Sequence, residues 1–187
     1  MQTVTDPSKC ERNEVKTETK MSEIVNKVAN SKLIVFDLED YYPDDHVIAL
    51  DISQWLFGGF ILKETEFREQ LKNTDWSLYE DKYVALYCSE DAILPAWAYT
   101  LVAVHLAPFA LKVIHGDKKI AVIDWYQDIL NKLDYTEFFE KPLILKGCSK
   151  KDVPNEIYTL AIQKLMKVSK SIMFGEACSA VPLYKKK

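Results

Sequence analysis

Residues 83–91, YVALYCSED, decide the fold class of this chain. The stretch opens with a short, continuous run of apolar and β-forming residues, which is typical of a strand buried on both faces. A cysteine, a serine and two acidic residues follow, and a helical pattern runs from Ile93 to about Leu106. A buried strand that leads through a short polar turn into a helix is the building unit of parallel sheets. The stretch therefore predicts an α/β fold.

The same alternation of strands and helices extends outward from this stretch in both directions. Strand patterns occupy residues 33–39, 50–54, 142–147 and 171–174, helical patterns occupy 65–72, 124–133 and 153–168, and a last edge strand is expected at 181–184. Residues 21–187 are predicted to form a single α/β domain with a mainly parallel or mixed central sheet flanked by helices. Residues 1–20, which include Cys10, are polar and are predicted to form a disordered leader.

Composition and charge exclude several functions. The net charge is −4, and Arg12 and Arg68 are the only arginines, so the chain lacks the basic footprint of a nucleic-acid-binding protein. No segment has the length and apolar continuity of a membrane span, and the N-terminus lacks the apolar region of a secretory signal. We therefore expect a cytoplasmic protein that binds neither nucleic acid nor membrane, and whose cysteines are free thiols or metal ligands.

Three of the four cysteines precede a serine, at Cys88, Cys148 and Cys178. The segments around the first two are alike. Each runs from a strand through Cys-Ser and polar residues to a proline, and a tyrosine follows four positions later. A strand, a cap, a proline and a helix are also the ordinary parts of a βα turn. The likeness therefore has two interpretations: a common way of building such turns, or two equivalent βα units within the chain.

The polar residues that follow these cysteines are candidate helix caps. Ser89 or Asp91 is expected to cap the helix after the first cysteine, and Ser149 or Asp152 the helix after the second. Helix N-termini also bind anions through their backbone amides, without any need for arginine. The same four residues therefore mark a candidate site for a small anion or a nucleotide.

The three cysteines are the main candidates for chemistry. Ligands of open parallel sheets bind at the carboxyl ends of strands. If the strands before Cys88, Cys148 and Cys178 are parallel neighbours, the three thiols lie at one edge of the sheet. A thiol at a helix N-terminus is biased toward thiolate, the form that binds metal, carries sulfur or attacks an electrophile. In the alternative interpretation, the cysteines are small packing residues of the core.

Three thiolates would suit zinc or an iron–sulfur cluster, and His105 is a candidate fourth ligand. As an alternative, His105 is a hydrogen-bonded interior histidine in the middle of a helix. Acidic residues at the end of the first strand, Asp37, Glu39 and Asp40, could hold a divalent cation or form a solvated loop. No P-loop, dinucleotide fingerprint, nucleophile elbow or zinc-ribbon pattern is present, so the sequence favours a protein that is not an enzyme.

An aromatic segment around Trp55, Phe57 and Phe60 is the candidate interaction patch. Exposed apolar patches mark protein contacts, and a symmetric contact between two copies is the commonest kind. In this alternative hypothesis the chain is a non-enzymatic binding or scaffold domain, and its cysteines are structural. Two copies would form a homodimer, a homo-oligomeric contact made through the patch.

Three blocks of the sequence resemble the bacterial family of unknown function DUF2480. They are GEACSAVPLYK at residues 175–185, CSEDAILPAWAY at 88–99 and GCSK at 147–150, and the similarity extends from about residue 21 to residue 187. The resemblance implies a role near iron–sulfur cluster assembly of the sulfur-mobilising type, with proteins of that assembly system as partners. It implies no mechanism.

Overall fold

The computed structural model describes residues 33–147, 149–176 and 179–187, which carry seven β-strands and four α-helices. In chain order the elements are β1 Ile34–Asp37, β2 Val47–Asp51, α1 Glu64–Asn73, β3 Tyr83–Tyr87, α2 Ala96–Leu106, β4 Lys112–His115, α3 Lys118–Lys132, β5 Pro142–Lys146, α4 Asn155–Leu165, β6 Ser171–Phe174 and β7 Val181–Lys185. The α/β class is confirmed. The predicted leader, Cys148 and Cys178 lie outside the described residues.

The strands form two sheets rather than one central sheet. The first has the order β1-β5-β6-β7 and the second has the order β2-β3-β4. All pairs are parallel except β6 with β7, which is antiparallel. Strand β7 is therefore the edge strand that its sequence predicts. Strand β4 has no counterpart among the sequence predictions, because its residues are partly buried or, at His115, exposed, and show no clear alternation.

Strand β3 occupies the centre of the second sheet and is buried on both faces, as its apolar sequence predicts. Val84 and Leu86 pack with residues of α1 and α2 in one core. Tyr83 and Ala85 point the other way, into a core that also contains residues of α3, α4 and the first sheet. The chain thus places helices against both faces of this sheet.

Helix α3 ties the two sheets together. Its Tyr126 side chain is fully buried, and the hydroxyl donates to the carbonyl of Leu38, just after β1, at 2.8 Å. Its Asp128 accepts a hydrogen bond from the Tyr83 hydroxyl of β3 at 2.9 Å. Because these two bonds reach different sheets, α3 fixes the position of one sheet relative to the other.

The two sheets contain equivalent βαβ units, β3-α2-β4 and β5-α4-β6. After the second strand of each unit, a glycine N–H donates to a carbonyl at the matching position of the first strand: Gly116 to Leu86 at 2.9 Å, and Gly175 to Leu145 at 3.0 Å. Before the first strand of each unit lies a residue with positive φ, Asp81 at 58° and Glu140 at 55°. The two similar segments thus lie at corresponding places in two βαβ units, which fits both interpretations of their likeness.

Each unit is completed by one of the first two strands, which pair in parallel with β5 and β3 respectively. Both of these strands end in an aspartate that caps a short 3-10 turn. Asp37 accepts from the Glu39 amide at 3.0 Å, and Asp51 accepts from the Ser53 amide at 2.9 Å. Strand β1 thus pairs with the unit β5-α4-β6, which comes later in the chain, and β2 pairs with β3-α2-β4. The carboxyl ends of both sheets are built alike.

Within the described ranges, no helix combines the length and the apolar character that crossing a bilayer requires.

Candidate functional site

Cys88 lies immediately after β3, at the carboxyl end of the central strand of the second sheet. Its thiol is free and partly buried, and it packs against the core formed with α1 and α2. Since β2 and β4 flank β3 in parallel, their carboxyl ends lie on the same side of the sheet as Cys88. This is the edge at which open parallel sheets bind ligands.

Asp51, the last residue of β2, holds the loop that follows the cysteine. Its carboxylate accepts hydrogen bonds from the amides of Ser53 at 2.9 Å and Ser89 at 3.1 Å. The hydroxyl oxygens of these two serines lie 3.2 Å apart. Burial by itself raises the pKa of Asp51, but the hydrogen bonds from Ser89 and Ser53 outweigh it and hold the pKa below its usual value. An ionised carboxylate therefore anchors the Cys88 loop.

A small cavity of about 240 Å³ opens beside this strand end, between α2 and β4. Tyr99 and His115 line it, and their ring centroids are 4.2 Å apart. Burial raises the pKa of the Tyr99 hydroxyl, and the nearby groups Cys88 and Asp51 raise it further. The phenol is therefore within electrostatic range of the thiol and the carboxylate, and it keeps its proton as a hydrogen-bond donor.

Sequence reasoning did not single out Asp51, Tyr99 or His115 as members of one site. Tyr99 was visible only as the tyrosine shared by the two similar segments, and His115 lies in β4, whose short sequence carries no strand pattern. Their proximity depends on the pairing of β2, β3 and β4, which are separated by helices along the chain.

The three cysteine-bearing segments do not all follow neighbouring strands. Strands β5 and β6 are parallel neighbours in the first sheet, whereas β3 belongs to the second, so the condition that all three strands are neighbours is not met. Cys148 and Cys178 lie outside the described residues, and the convergence of the three thiols stays a prediction. Among the residues that are described, no three histidine, cysteine or acidic side chains are grouped to hold a metal ion.

His105 lies in the last turn of α2, and its ring stacks on the indole of Trp76. The two rings are nearly parallel, with centroids 5.4 Å apart and an interplanar angle of 16°. His105 is half-buried, and this contact covers one face of its ring. A ligand role for His105 stays a prediction.

The helix caps are not where the sequence predicts them. Helices α2 and α4 begin at Ala96 and Asn155, with Pro95 and Pro154 in the N-cap positions and no side-chain capping bond at either. Each of these prolines is followed directly by its helix, and a proline side chain has no acceptor that could cap the first amides of a helix. The prediction that Ser89 or Asp91, and Ser149 or Asp152, cap these helices is therefore wrong.

The loop after β5 is held by Glu39, which lies in the 3-10 turn that follows β1. Asp51 holds the loop after β3 in the same way. The Glu39 carboxylate accepts hydrogen bonds from the amides of Ser149, Lys150 at 2.7 Å and Lys151 at 3.3 Å. These hydrogen bonds, that from the Lys150 amide above all, hold the pKa of Glu39 below its usual value. Burial acts in the opposite direction and is outweighed. An anion at Ser149 would have to displace this carboxylate, which makes the loop a filled site.

The neighbouring aspartate is also engaged. Asp37 forms an ion pair with Lys146 at 3.0 Å, and the same ammonium lies 3.8 Å from Glu176. With Glu39 occupied by backbone amides and Asp37 by a lysine, two of the three acidic residues proposed for a divalent cation already have partners. Asp40 is exposed.

The predicted aromatic patch is divided by the fold. Trp55 is 6% exposed and packs in the core against Phe67 and Trp76, so its assignment to the patch is wrong. Phe57 and Phe60 are 53% and 60% exposed, as an interaction patch requires.

These features describe a two-sheet α/β protein with a thiol at the carboxyl edge of a parallel sheet. The family model described as "Protein of unknown function (DUF2480)" matches residues 22–186, which is nearly the whole chain. The chain belongs to this family. No curated protein and no solved structure matches it.

Proposed function

We propose that this protein is a cytoplasmic, non-enzymatic accessory of iron–sulfur cluster assembly that carries sulfur on Cys88. One observation carries the proposal: a free, partly exposed thiol ends the central strand of a parallel sheet, beside a cavity lined by Tyr99 and His115. Reactive cysteines need access for their partner. The link to cluster assembly rests on the family resemblance alone.

The proposed chemistry is the transfer of one sulfur atom from a persulfide donor. The Cys88 thiolate attacks the outer sulfur of the donor R–S–SH, a new sulfur–sulfur bond forms on Cys88, and the donor's own sulfur–sulfur bond breaks. The donor leaves as the thiolate R–S⁻, so atoms and electrons balance without an added oxidant. The Tyr99 hydroxyl, whose pKa is raised, keeps its proton and lies within electrostatic range of the Cys88 sulfur.

A test uses inorganic polysulfide as the sulfur donor and intact-protein mass spectrometry as the readout. We expect the folded protein to gain a sulfur atom that reductant removes, and Cys88→Ser to lose this gain. Cys10→Ser is the matched control and should load sulfur as the wild type does. The proposal fails if Cys88 stays unmodified in the folded protein while it reacts after unfolding.

A metal-binding form of the proposal adds Cys148 and Cys178 to Cys88 as ligands of zinc or an iron–sulfur cluster. Thiolates are the preferred ligands of both. Anaerobic purification followed by metal and acid-labile sulfide analysis tests it, with each cysteine changed to serine in turn. A colourless, metal-free protein whose three thiols resist labelling would rule out this form.

A second candidate function is that of a binding or scaffold domain, and the exposure of Phe57 and Phe60 favours it. If two copies meet through these rings, light scattering will show a dimer, and serine at both positions will yield a monomer. A wild-type protein that is monomeric at all concentrations would leave the patch for a different partner.

A further inference from the structure

An open groove of about 600 Å³ lies between the loop that follows β2 and the loop that follows Cys88. We call it the loop groove and define it by Phe60, Ile61, Glu64, Asp91, Ile93 and Trp97. Four of these six side chains are large and apolar. Ile93 is 100% exposed, Phe60 60%, Ile61 44% and Trp97 36%. Clustered exposed apolar side chains of this kind mark contact surfaces.

The loop groove is preorganised on one side. Phe57 and Ile61 form an isolated antiparallel bridge, with backbone hydrogen bonds of 2.8 and 3.1 Å between them. Gly58 and Gly59 make the turn of this small hairpin at φ values of +62° and +85°, a conformation that glycine adopts without strain. On the other side, the Trp97 ring is held at the start of α2 by an edge contact with Phe67 and by Arg68. Rigid walls reduce the entropy lost on binding.

The charged side chains around the loop groove that are not in ion pairs are acidic. The described residues that line it include two charged ones, Glu64 and Asp91. Glu64 pairs with Arg68 at 2.9 Å, whereas Asp91 and the adjacent Glu90 make no ion pair within the described ranges. Nearby Lys63 is engaged by Glu66 at 3.1 Å and by the Phe57 ring at 3.3 Å. The Cys88 loop therefore presents unpaired negative charge next to an apolar surface.

We infer that the loop groove is the docking site for a partner protein that inserts an apolar side chain flanked by lysine or arginine. Electrostatic complementarity selects such a partner, because basic residues would meet Glu90 and Asp91 while the apolar side chain covers Ile93 and Trp97. A second copy of this chain fits less well. A two-fold contact places the same surface on itself and would bring like charges together.

The inference deepens the proposed function and rests on it for one point. Ile93 belongs to the loop that begins at Cys88, so a partner in the loop groove would be the protein that exchanges sulfur with this thiol. Binding in the loop groove does not itself require the thiol. Binding and sulfur loading are therefore measured separately.

The experiment uses the full-length protein and a fluorescent hexapeptide, Lys-Lys-Leu-Phe-Lys-Lys, followed by fluorescence anisotropy. Two control peptides replace the lysines by glutamate or the Leu-Phe pair by alanine. We expect measurable binding of the first peptide alone, weakened about tenfold by Ile93→Ser and less, but in a salt-dependent manner, by Asp91→Asn. Leu183→Ser removes an equally apolar side chain that is 51% exposed on β7, and it should leave binding unchanged.

The outcomes decide between the occupants. Equal binding of all three peptides, no binding of any, or an unchanged affinity in Ile93→Ser overturns the inference. A wild-type dimer in sedimentation experiments that Ile93→Ser converts to a monomer assigns the loop groove to a second copy, and this also overturns it. Cys88→Ser should bind the peptide as the wild type does, and Ile93→Ser should still take sulfur from polysulfide. Failure of sulfur loading with intact peptide binding would thus reject the proposed function alone.

Discussion

Removing the Asp51 carboxylate should free the Cys88 loop and make the thiol more reactive. In the folded protein this carboxylate accepts two backbone amides, one from its own 3-10 turn at Ser53 and one from Ser89 across the sheet. The variant Asp51→Ala loses both bonds. The bond to Ser89 is the one of these two that joins β2 to the loop after β3, so the effect of Asp51→Ala on the thiol depends on it.

The expected magnitude follows from these two bonds. Loss of a capping side chain costs about 1 kcal/mol of unfolding free energy. The bond from Ser89 to a charged acceptor adds about 1 kcal/mol, a value reduced because Asp51 is partly exposed to solvent. We therefore expect Asp51→Ala to lose about 2 kcal/mol in total. The part that concerns the loop, about 1 kcal/mol, corresponds to a roughly fivefold faster reaction of Cys88 if opening of the loop limits access.

The assay is alkylation of Cys88 by iodoacetamide, in a protein whose other three cysteines are serines, alongside urea unfolding. Asp75→Ala is the matched control. The Asp75 carboxylate caps a similar 3-10 turn by accepting from the amide of Ser77 at 3.0 Å, and it makes no bond to the Cys88 loop. Asp75→Ala should leave the alkylation rate unchanged. If both variants accelerate alkylation equally, or if neither does, the reasoning about Asp51 is refuted.

Three further outcomes follow from individual contacts. The folded pKa of Asp51 is lowered, so its stabilisation is complete above its ordinary pKa near 4 and is lost as the pH falls through the folded value. The stability difference between wild type and Asp51→Asn should therefore shrink as the pH falls below about 4, and a constant difference would contradict this. Tyr126→Phe removes the hydroxyl that donates to the buried carbonyl of Leu38 and should lower the free energy of unfolding in urea by about 1–2 kcal/mol. An unchanged urea midpoint would show that this bond contributes nothing. Gly147→Ala places a methyl group 2.7 Å from Cβ of the fully buried Leu38 and should lower the free energy of unfolding by about 1–3 kcal/mol. A variant as stable as the wild type would mean that β1 and β5 can separate at this point.

The sequence was sufficient where a local pattern determines local structure. The apolar run from Tyr83 to Tyr87 predicted a strand buried on both faces, and it is the centre of its sheet. Helix α1 followed from Phe67 and Leu71, which share one face and are both fully buried. The helix starts were misplaced, because Ser89 and Ser149 resemble caps in sequence while their amides bond to acidic side chains far away in the chain.

The candidate site was predictable only in part. Cys88 could be placed at a strand end because strand and helix patterns lie on either side of it. Its neighbours could not be found, since Asp51 and His115 are brought to it by the lateral order of β2, β3 and β4, and no local signal encodes that order. The exposure of Phe57 and Phe60 likewise depends on a tertiary feature, the two-glycine hairpin that turns the chain back on itself, whereas Trp55 just before it lies in the core.

The sequence alone therefore determined the α/β class, most of the elements and the position of Cys88 at the end of a strand, because hydrophobic periodicity and turn residues act over a few positions. Tertiary structure decided the division into two sheets, the equivalence of their βαβ units and the set of groups around Cys88. These depend on contacts between residues far apart in the chain, such as Tyr126 with Leu38 and Asp51 with Ser89, which form only when the whole core is buried. In YVALYCSED the sequence specifies a thiol at the end of a strand, and the fold supplies its surroundings.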